Sequence, residues 1–233
     1  MADLRFFEKA GRKIVVVGHY GSGKTEFAVS LAMLIATGNT GKIALIDLDI
    51  VNPYFRSRER RDMLENAGIP VYGSVYKYEV SAEIPALGAD TRAPLEDSSC
   101  RVIVDAGGND SGAMALVQFK KYLMDDTTVL AVINANRPET GSVAGAVAHM
   151  AAIEDATGLE VNGIINNCHL LRETTAETVI KGHEFCARVR EASGKELWCD
   201  CYPSGIVAPE ELFGLSGCLV PMGLYMRPTW LDK

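Results

Sequence analysis

Six short apolar runs rich in β-branched residues recur along the chain, with longer mixed stretches between them. Within each run the apolar residues are continuous rather than alternating, which predicts strands buried on both faces, as in a parallel sheet covered by helices. The predicted strands are Lys13 to Val17, Lys42 to Asp47, Arg101 to Asp105, Thr127 to Asn134, Glu160 to Asn166 and Glu196 to Tyr202.

The stretches between these strands predict helices, several of which end at glycine because glycine readily closes a helix. Alternating strands and helices predict an α/β fold, a doubly wound and mostly parallel sheet with helices on both faces. The predicted helices are Lys24 to Thr37, Tyr54 to Ala67, about Ala113 to Met124, Gly141 to Thr157 and Thr174 to Ala192, and the closing glycines include Gly38, Gly68, Gly158 and Gly194.

The length of 233 residues suits one α/β domain that spans residues 1–233. We find no internal repeat and no linker rich in Pro, Gly and Ser. The exception to this regularity is the stretch from Ile69 to Ser99, where Pro70, Pro85 and Pro94 interrupt a long connection that has no period. Such a stretch is either a functional lid or partner surface, or a loop that covers the edge of the sheet.

Composition and charge limit the kinds of molecule that the chain is expected to bind. It is 48% hydrophobic and 23% charged, as ordinary globular proteins are. Its formal net charge of -7 would repel a phosphate backbone, which argues against sequence-independent binding of nucleic acid. No apolar run approaches the ~18 residues of a membrane span, and the first residues lack a signal-peptide pattern. We therefore expect a cytoplasmic protein whose 6 cysteines are thiols.

The strongest chemical signal is the segment GHYGSGKT, which follows the first predicted strand and precedes a predicted helix. It matches the phosphate-binding pattern G-x-x-x-x-G-K-[ST]. A loop of small residues over a helix N-terminus supplies backbone N–H groups for phosphate oxygens, and the helix dipole favours the anion. We expect Lys24 to bind the β- and γ-phosphates and the Thr25 hydroxyl to bind Mg²⁺. The expected phosphate-binding residues are Gly18, His19, Tyr20, Gly21, Ser22, Gly23, Lys24 and Thr25.

Carboxylates stand at the ends of two further predicted strands. Asp47 and Asp49 are two residues apart, so on an extended segment they point the same way, at the sheet edge where α/β folds bind ligands. Asp105 ends another strand and could hold Mg²⁺ through water, while the Gly108 N–H could meet the γ-phosphate. Taken alone, Asp105 would also fit a helix cap and the aspartate pair a solvated turn. The P-loop in the same chain favours the metal-site interpretation of Asp105.

These three motifs, in this order along the chain, resemble the MinD/ParA-type P-loop ATPases, a group that includes CobQ/CobB-like enzymes and metallocentre-maturation ATPases. The resemblance extends from about Lys13 to Ser204. It implies an ATPase that uses ATP and Mg²⁺ and acts as a nucleotide-controlled switch. It also implies a nucleotide-dependent homodimer, and it leaves the protein partner and the cellular process open.

The resemblance also implies roles for individual residues. Lys24 and Asp49 would be catalytic, because Asp49 corresponds to the residue that orients the attacking water. The metal site would comprise Thr25, Asp47 and Asp105. The base pocket would be formed after two later strands, by Asn166, Asn167 and Pro203.

The P-loop departs from that family at three positions. His19 stands where the family has a second lysine that reaches the partner subunit's nucleotide, and Tyr20 replaces a glycine. Glu26 follows Thr25, where a second hydroxyl residue usually contacts the α-phosphate, so its carboxylate could instead serve the first turn of the helix. These departures favour one alternative, a module that binds nucleotide with little turnover.

A second alternative is an ATP-dependent kinase or ligase of the CobQ/dethiobiotin-synthetase kind, in which the stretch from Ile69 to Ser99 would line a substrate pocket. For each of these functions, the hydrogen-bonding groups of the expected base pocket indicate which nucleotide base is bound. Guanine N1–H and its N2 amine require an acceptor carboxylate, which the segment from Asn166 to His169 lacks, whereas an asparagine amide pairs with adenine. ATP is therefore expected, although either asparagine could simply end a strand.

Three further features favour structural explanations. Cys199 and Cys201 would share one face of a strand and could give thiolates to a metal across a dimer axis, but buried cysteines more often only pack. The basic stretch at residues 56–61 is typical of a solvated helix face, with a nucleotide-dependent partner surface as the alternative. Pro221 and Pro228 interrupt any amphipathic helix in the tail, so no membrane anchor is predicted.

Overall fold

The computed structural model describes residues 5–38, 41–49, 57–73, 89–108, 110–215 and 217–226. Eight strands in these ranges form one sheet in the order β3-β2-β4-β1-β5-β6-β7-β8, and each neighbouring pair is parallel. This confirms the predicted α/β class. The strands are β1 (Lys13–Val17), β2 (Lys42–Asp47), β3 (Val71–Gly73), β4 (Cys100–Asp105), β5 (Thr127–Ile133), β6 (Gly163–Asn166), β7 (Glu196–Pro203) and β8 (Cys218–Met222).

Helices cover both faces of this sheet. Within the described ranges the α-helices are α1 (Arg5–Glu8), α2 (Lys24–Thr37), α3 (Arg61–Asn66), α4 (Ala93–Glu96), α5 (Asp110–Val117), α6 (Val143–Thr157) and α7 (Ala176–Ser193). Short 3₁₀ turns lie at Ser57–Arg60, Ala89–Arg92, Lys120–Tyr122, Leu171–Glu173 and Pro209–Leu212. No helix in these ranges has the length and apolar character to cross a membrane.

Alternate residues of β1 belong to two different hydrophobic cores. Val15 and Val17 pack in the core that includes residues of α5, α6 and α7. Ile14 and Val16 pack in the core that includes residues of α2 and α3. Because side chains alternate across a strand, the strand is buried on both faces, as its continuous apolar run predicts.

Several predicted boundaries are wrong in detail. Of the helix predicted from Tyr54 to Ala67, the described part is a 3₁₀ turn followed by the short α3, and residues 54–56 lie outside the described ranges. The helix predicted up to Met124 ends at Val117, with a separate 3₁₀ turn after it. Residues 160–162 precede β6 rather than belonging to it. Short polar segments carry no strong period, so helix and strand ends are poorly specified by pattern.

The sequence patterns do not predict two edge strands, β3 and β8. The strand β3 has only 3 residues and lies within the irregular stretch that begins at Ile69, whose residues 74–88 fall outside the described ranges. The strand β8 contains Pro221, but among the described strands it pairs with β7 alone. An edge strand tolerates proline because one side of it has no ladder to complete.

Candidate nucleotide-binding site

The segment from Gly18 to Thr25 leads directly from β1 into α2. The Ser22 N–H donates to the His19 carbonyl at 3.0 Å, which closes a turn. Gly21 and Gly23 have φ values of +77° and +82°, in the left-handed region that favours glycine. Among the described residues, no side chain caps the N-terminus of α2, so its first N–H groups are available to an anion.

Lys24 and Asp49 form a buried ion pair beside this loop. Lys24 Nζ lies 3.1 Å from Asp49 Oδ2, and the two side chains are only 5% and 3% exposed. Asp49 follows β2, and its backbone N–H donates to Asp47 Oδ1 at 3.0 Å. The structure therefore brings the P-loop lysine together with both predicted aspartates.

Thr25 and Asp105 meet at the same edge of the sheet. The Thr25 hydroxyl donates to Asp105 Oδ1 at 3.3 Å, and Asp105 lies beside Asp47 in the register of β4 and β2. Burial raises the pKa of Asp105 to about 7. The Lys24 ammonium opposes this rise, whereas the carboxylates of Asp47 and Asp49 add to it. A cation at this point would favour the ionised form of Asp105.

The oxygen atoms around Asp105 suit a hard divalent cation. Asp105 Oδ2 is buried and has no hydrogen-bond partner among the described residues. Mg²⁺ is usually held by one or two carboxylates together with phosphate oxygens and water. No group of three or more His, Cys, Asp and Glu side chains is arranged to hold a metal in the described parts of the chain. A cation at Thr25 and Asp105 would therefore need further ligands, such as phosphate oxygens.

The loop after β4 packs closely on the P-loop through Gly108. A Cβ atom on this glycine would lie 2.9 Å from the backbone N of Tyr20, so a larger residue would push the two loops apart. Tyr20 itself is 60% exposed. The backbone of Gly108 thus lies next to the predicted phosphate-binding segment.

His19 contacts residues of its own chain in α6 and in the segment before it. Its ring stands edge-on to the ring of His149 in α6, with the ring centres 5.2 Å apart. Its Nδ1 lies 3.1 Å from the Tyr20 carbonyl oxygen and 3.8 Å from Glu139 Oε2. Residue 19 is therefore held by intramolecular contacts in this structure.

The side chains of the two predicted base-pocket asparagines donate hydrogen bonds to different parts of the protein. Asn167 Nδ2 donates to the Ser22 carbonyl at 2.8 Å, which ties the end of β6 to the P-loop. Asn166 is fully buried, and its Nδ2 donates to the Val179 carbonyl and to Asp200 Oδ1. Pro203 ends β7, where its carbonyl accepts N–H groups of the following turn. Of these three residues, Asn167 alone forms a hydrogen bond to the P-loop within the described parts of the chain.

Glu26 holds the segment that follows β8. Its carboxylate accepts the Tyr225 N–H at 2.7 Å and the Met226 N–H at 3.0 Å. Burial raises the pKa of Glu26 to about 7, although these two backbone donors lower it. The carboxylate is thus engaged with residues distant in sequence, in addition to its place in the first turn of α2.

Arg137 and His169 also contact the P-loop, and no sequence motif indicated either of them. Arg137 Nε donates to the Gly21 carbonyl at 2.8 Å. His169 Nε2 lies 3.1 Å from where a Cβ of Gly23 would be. Burial, with the nearby Arg137 cation, lowers the pKa of His169 to about 4. At neutral pH His169 is therefore uncharged beside this arginine.

Cys199 and Cys201 lie on one face of β7, as their spacing predicts. Both are 1% exposed and pack in the core formed with α2. Burial raises the pKa of the Cys199 thiol well above its usual value. In the metal-free chain this thiol therefore ionises less readily than an exposed one.

Comparisons with solved structures place the chain in a fold group. It is similar to the signal recognition particle 54 kDa protein from Aeropyrum pernix K1 in complex with GDP, with a TM-score of 0.52 and 22% identity over 81% of this chain and 41% of that one. It is similar to FtsY from Thermotoga maritima (TM-score 0.51, 24% identity, 80% and 60% covered) and to FtsY from Mycoplasma mycoides (TM-score 0.53, 17% identity, 85% and 63% covered).

At these identities the similarity shows the fold, which is that of P-loop NTPases. The chain matches between 41% and 63% of the length of these three proteins. Neither the protein-family models nor the curated protein sequences give a match. The comparisons thus support a P-loop NTPase fold without singling out the MinD/ParA type.

Proposed function

We propose that this chain is a Mg²⁺-dependent ATPase of MinD/ParA type that switches between conformations or oligomeric states as it binds and hydrolyses ATP. One observation carries the proposal. The P-loop, the Lys24–Asp49 ion pair and the Thr25–Asp105 contact lie together at the carboxyl edge of a parallel sheet. This is where open α/β folds bind their ligands.

Binding of a triphosphate would change the partner of Lys24. Phosphate oxygens at the N-terminus of α2 compete with Asp49 Oδ2 for the ammonium, with charge-assisted hydrogen bonds. Both side chains are buried, so separating them without a replacement would leave a desolvated charge. Release of Asp49 is therefore coupled to arrival of the phosphate. That exchange gives the switch two local states. In one state Asp49 is paired with Lys24, and in the other it faces the phosphate.

Hydrolysis would use the released carboxylate. Asp49 would accept a hydrogen bond from the attacking water and orient it towards the γ-phosphate, while Lys24 neutralises the phosphate oxygens. The Thr25 hydroxyl and Asp105, with Asp47 nearby, would hold Mg²⁺, which supplies further charge neutralisation. Catalysis of phosphoryl transfer depends mainly on such positioning and charge stabilisation.

The polar groups after β6 support ATP over GTP. Guanine would need an acceptor carboxylate for its N1–H and N2 amine. The carboxylate on the neighbouring strand, Asp200, is 1% exposed and already accepts from Asn166 and lies 2.8 Å from His183 Nδ1. It is therefore engaged inside the protein, and the segment from Asn166 to His169 offers no other carboxylate.

Release of orthophosphate from ATP and from GTP, with Mg²⁺ and with a chelator, tests this proposal. We expect Mg²⁺-dependent release from ATP without any acceptor, and loss of it in Lys24→Ala. Hydrolysis of GTP alone would contradict the assignment of the base. Tight binding of ATP without turnover would favour a binding module, and turnover only in the presence of an acceptor substrate would favour a kinase or ligase.

A further inference from the structure

Two side chains from other loops hold consecutive carbonyl groups of the P-loop. Arg137, between β5 and α6, donates from Nε to the Gly21 carbonyl at 2.8 Å. Asn167, after β6, donates from Nδ2 to the Ser22 carbonyl at 2.8 Å. The loop is thus restrained from outside at two adjacent peptide groups.

These contacts fix the direction of the backbone N–H groups. In a trans peptide the carbonyl and the next N–H point to opposite sides. The peptide between Gly21 and Ser22 is held at both ends, because its carbonyl accepts from Arg137 and its N–H donates to the His19 carbonyl. The next peptide is held by Asn167, which directs the Gly23 N–H away from that side. A Gly23 N–H group preset in this way would bind a phosphate oxygen without first having to be ordered.

The glycines of the loop make such a restraint important. Gly18, Gly21 and Gly23 all have positive φ, and glycine loses more backbone freedom on ordering than any other residue. The guanidinium group packs closely on one of them, because a Cβ atom on Gly21 would lie 2.7 Å from both Arg137 Cζ and Nε. Arg137 therefore limits the conformations of the loop through packing as well as through its hydrogen bond.

The backbone of Arg137 is itself fixed. Its N–H donates to the Asn134 carbonyl, and its carbonyl accepts the Thr140 N–H, both at 3.2 Å. The Thr140 hydroxyl also donates to the Asn134 carbonyl at 3.2 Å. Asn134 follows β5 directly and is fully buried. The guanidinium is consequently presented to the P-loop from a turn anchored in the sheet.

The cation also suits an anion site. A guanidinium remains charged at any physiological pH, and it lies against the loop that is proposed to receive phosphates. The neighbouring His169 is uncharged at neutral pH, because its pKa is lowered to about 4. Arg137 therefore adds positive charge next to the loop, in addition to Lys24, whose ammonium is paired with Asp49.

We infer that Arg137 is a positioning residue for nucleotide binding, whose guanidinium holds the P-loop in its phosphate-binding form. The inference rests on the proposed function, since it concerns the same site. It assigns to this arginine a specific effect on nucleotide affinity, separate from the stability of the fold.

The test compares Arg137→Ala, Arg137→Lys and the parent, with Arg190→Ala as the matched control because Arg190 is an exposed arginine at the end of α7. Two quantities are measured for each protein, the dissociation constant of ADP by calorimetry and the thermal midpoint without nucleotide. Loss of a hydrogen bond from a charged donor predicts about tenfold weaker ADP binding in Arg137→Ala. Arg137→Lys, which keeps a charged donor, should recover part of that loss.

We expect the thermal midpoint without nucleotide to stay near that of the parent in all variants, and Arg190→Ala to bind ADP as the parent does. Unchanged ADP affinity in Arg137→Ala would overturn the inference while leaving the proposed function intact. A loss in Arg137→Ala that Arg137→Lys does not relieve at all would also overturn it. If Arg137→Ala fails to fold, Arg137→Gln takes its place in the same comparison. A folded parent that binds no nucleotide would overturn the proposed function, and this inference with it.

Discussion

Replacing Asp105 by asparagine should stabilise the nucleotide-free protein, and the gain should depend on pH. The carboxyl group is fully buried and its pKa is raised from 3.8 to about 7. Between these values the unfolded chain releases the proton while the folded chain retains it, so the stability of the parent falls as pH rises from about 4 to about 7. At about 1.36 kcal/mol per pKa unit, ionisation of this group lowers the free energy of unfolding of the parent by about 4 kcal/mol above pH 7. Asparagine keeps an acceptor for the Thr25 hydroxyl and removes the ionisation.

Urea unfolding of both proteins at several pH values, without nucleotide or Mg²⁺, measures this difference. The stability of Asp105→Asn relative to the parent should grow from about pH 4 to about pH 7 and then level off. The same variant should lose the Mg²⁺ dependence of ATP binding, because it lacks a carboxylate for the cation. A stability difference that does not change with pH would refute the argument that an ionising, desolvated carboxylate lies at this site.

Three further predictions concern catalysis, the cysteines and association. Asp49→Ala should bind ATP nearly as tightly as the parent and hydrolyse it far more slowly, since the carboxylate acts on water rather than on bound phosphate. If the variant hydrolyses ATP as fast as the parent in single-turnover assays, the aspartate pair is merely structural. Elemental analysis of the reduced protein should find only substoichiometric zinc or nickel, and one metal per two chains that is lost in Cys199→Ser would overturn the packing interpretation of Cys199 and Cys201. A lysine at position 19 would carry a fixed charge towards the partner subunit's nucleotide, so a non-hydrolysable ATP analogue should induce a tighter dimer in His19→Lys than in the parent. Sedimentation that shows only monomer for both proteins would rule out the nucleotide-dependent homodimer.

The parts of the site that lie within continuous motifs could be predicted from the sequence. The P-loop lies between β1 and α2 because both are specified by their own apolar patterns. Asp47 and Asp105 end strands that are adjacent in the sheet, so their meeting follows once a parallel sheet is inferred. The sequence could not decide between Asn166 and Asn167, because adjacent residues point to opposite sides and the choice depends on where β6 ends.

Contacts between distant segments could not be predicted in the same way. Arg137 meets Gly21 across 116 positions of sequence, and nothing in its local pattern distinguishes it from a surface arginine. Glu26 binds backbone groups about 200 positions away, so its partner is set by the packing of β8 at the edge of the sheet. The proline in β8 likewise argues against a strand until the strand is known to lie at an edge.

The central claim is that the loop from Gly18 to Thr25 binds the phosphates of a nucleotide, and the shift of the thermal midpoint by ATP·Mg²⁺ tests it most directly. A ligand that binds only the folded state at 100 times its dissociation constant stabilises it by about 2.7 kcal/mol. The shift, taken within each protein as the difference with and without ligand, should be large in the parent and in the exposed-lysine control Lys181→Ala. It should be mostly lost in Lys24→Ala. An equal shift in Lys24→Ala, or no shift in the folded parent, would contradict the account.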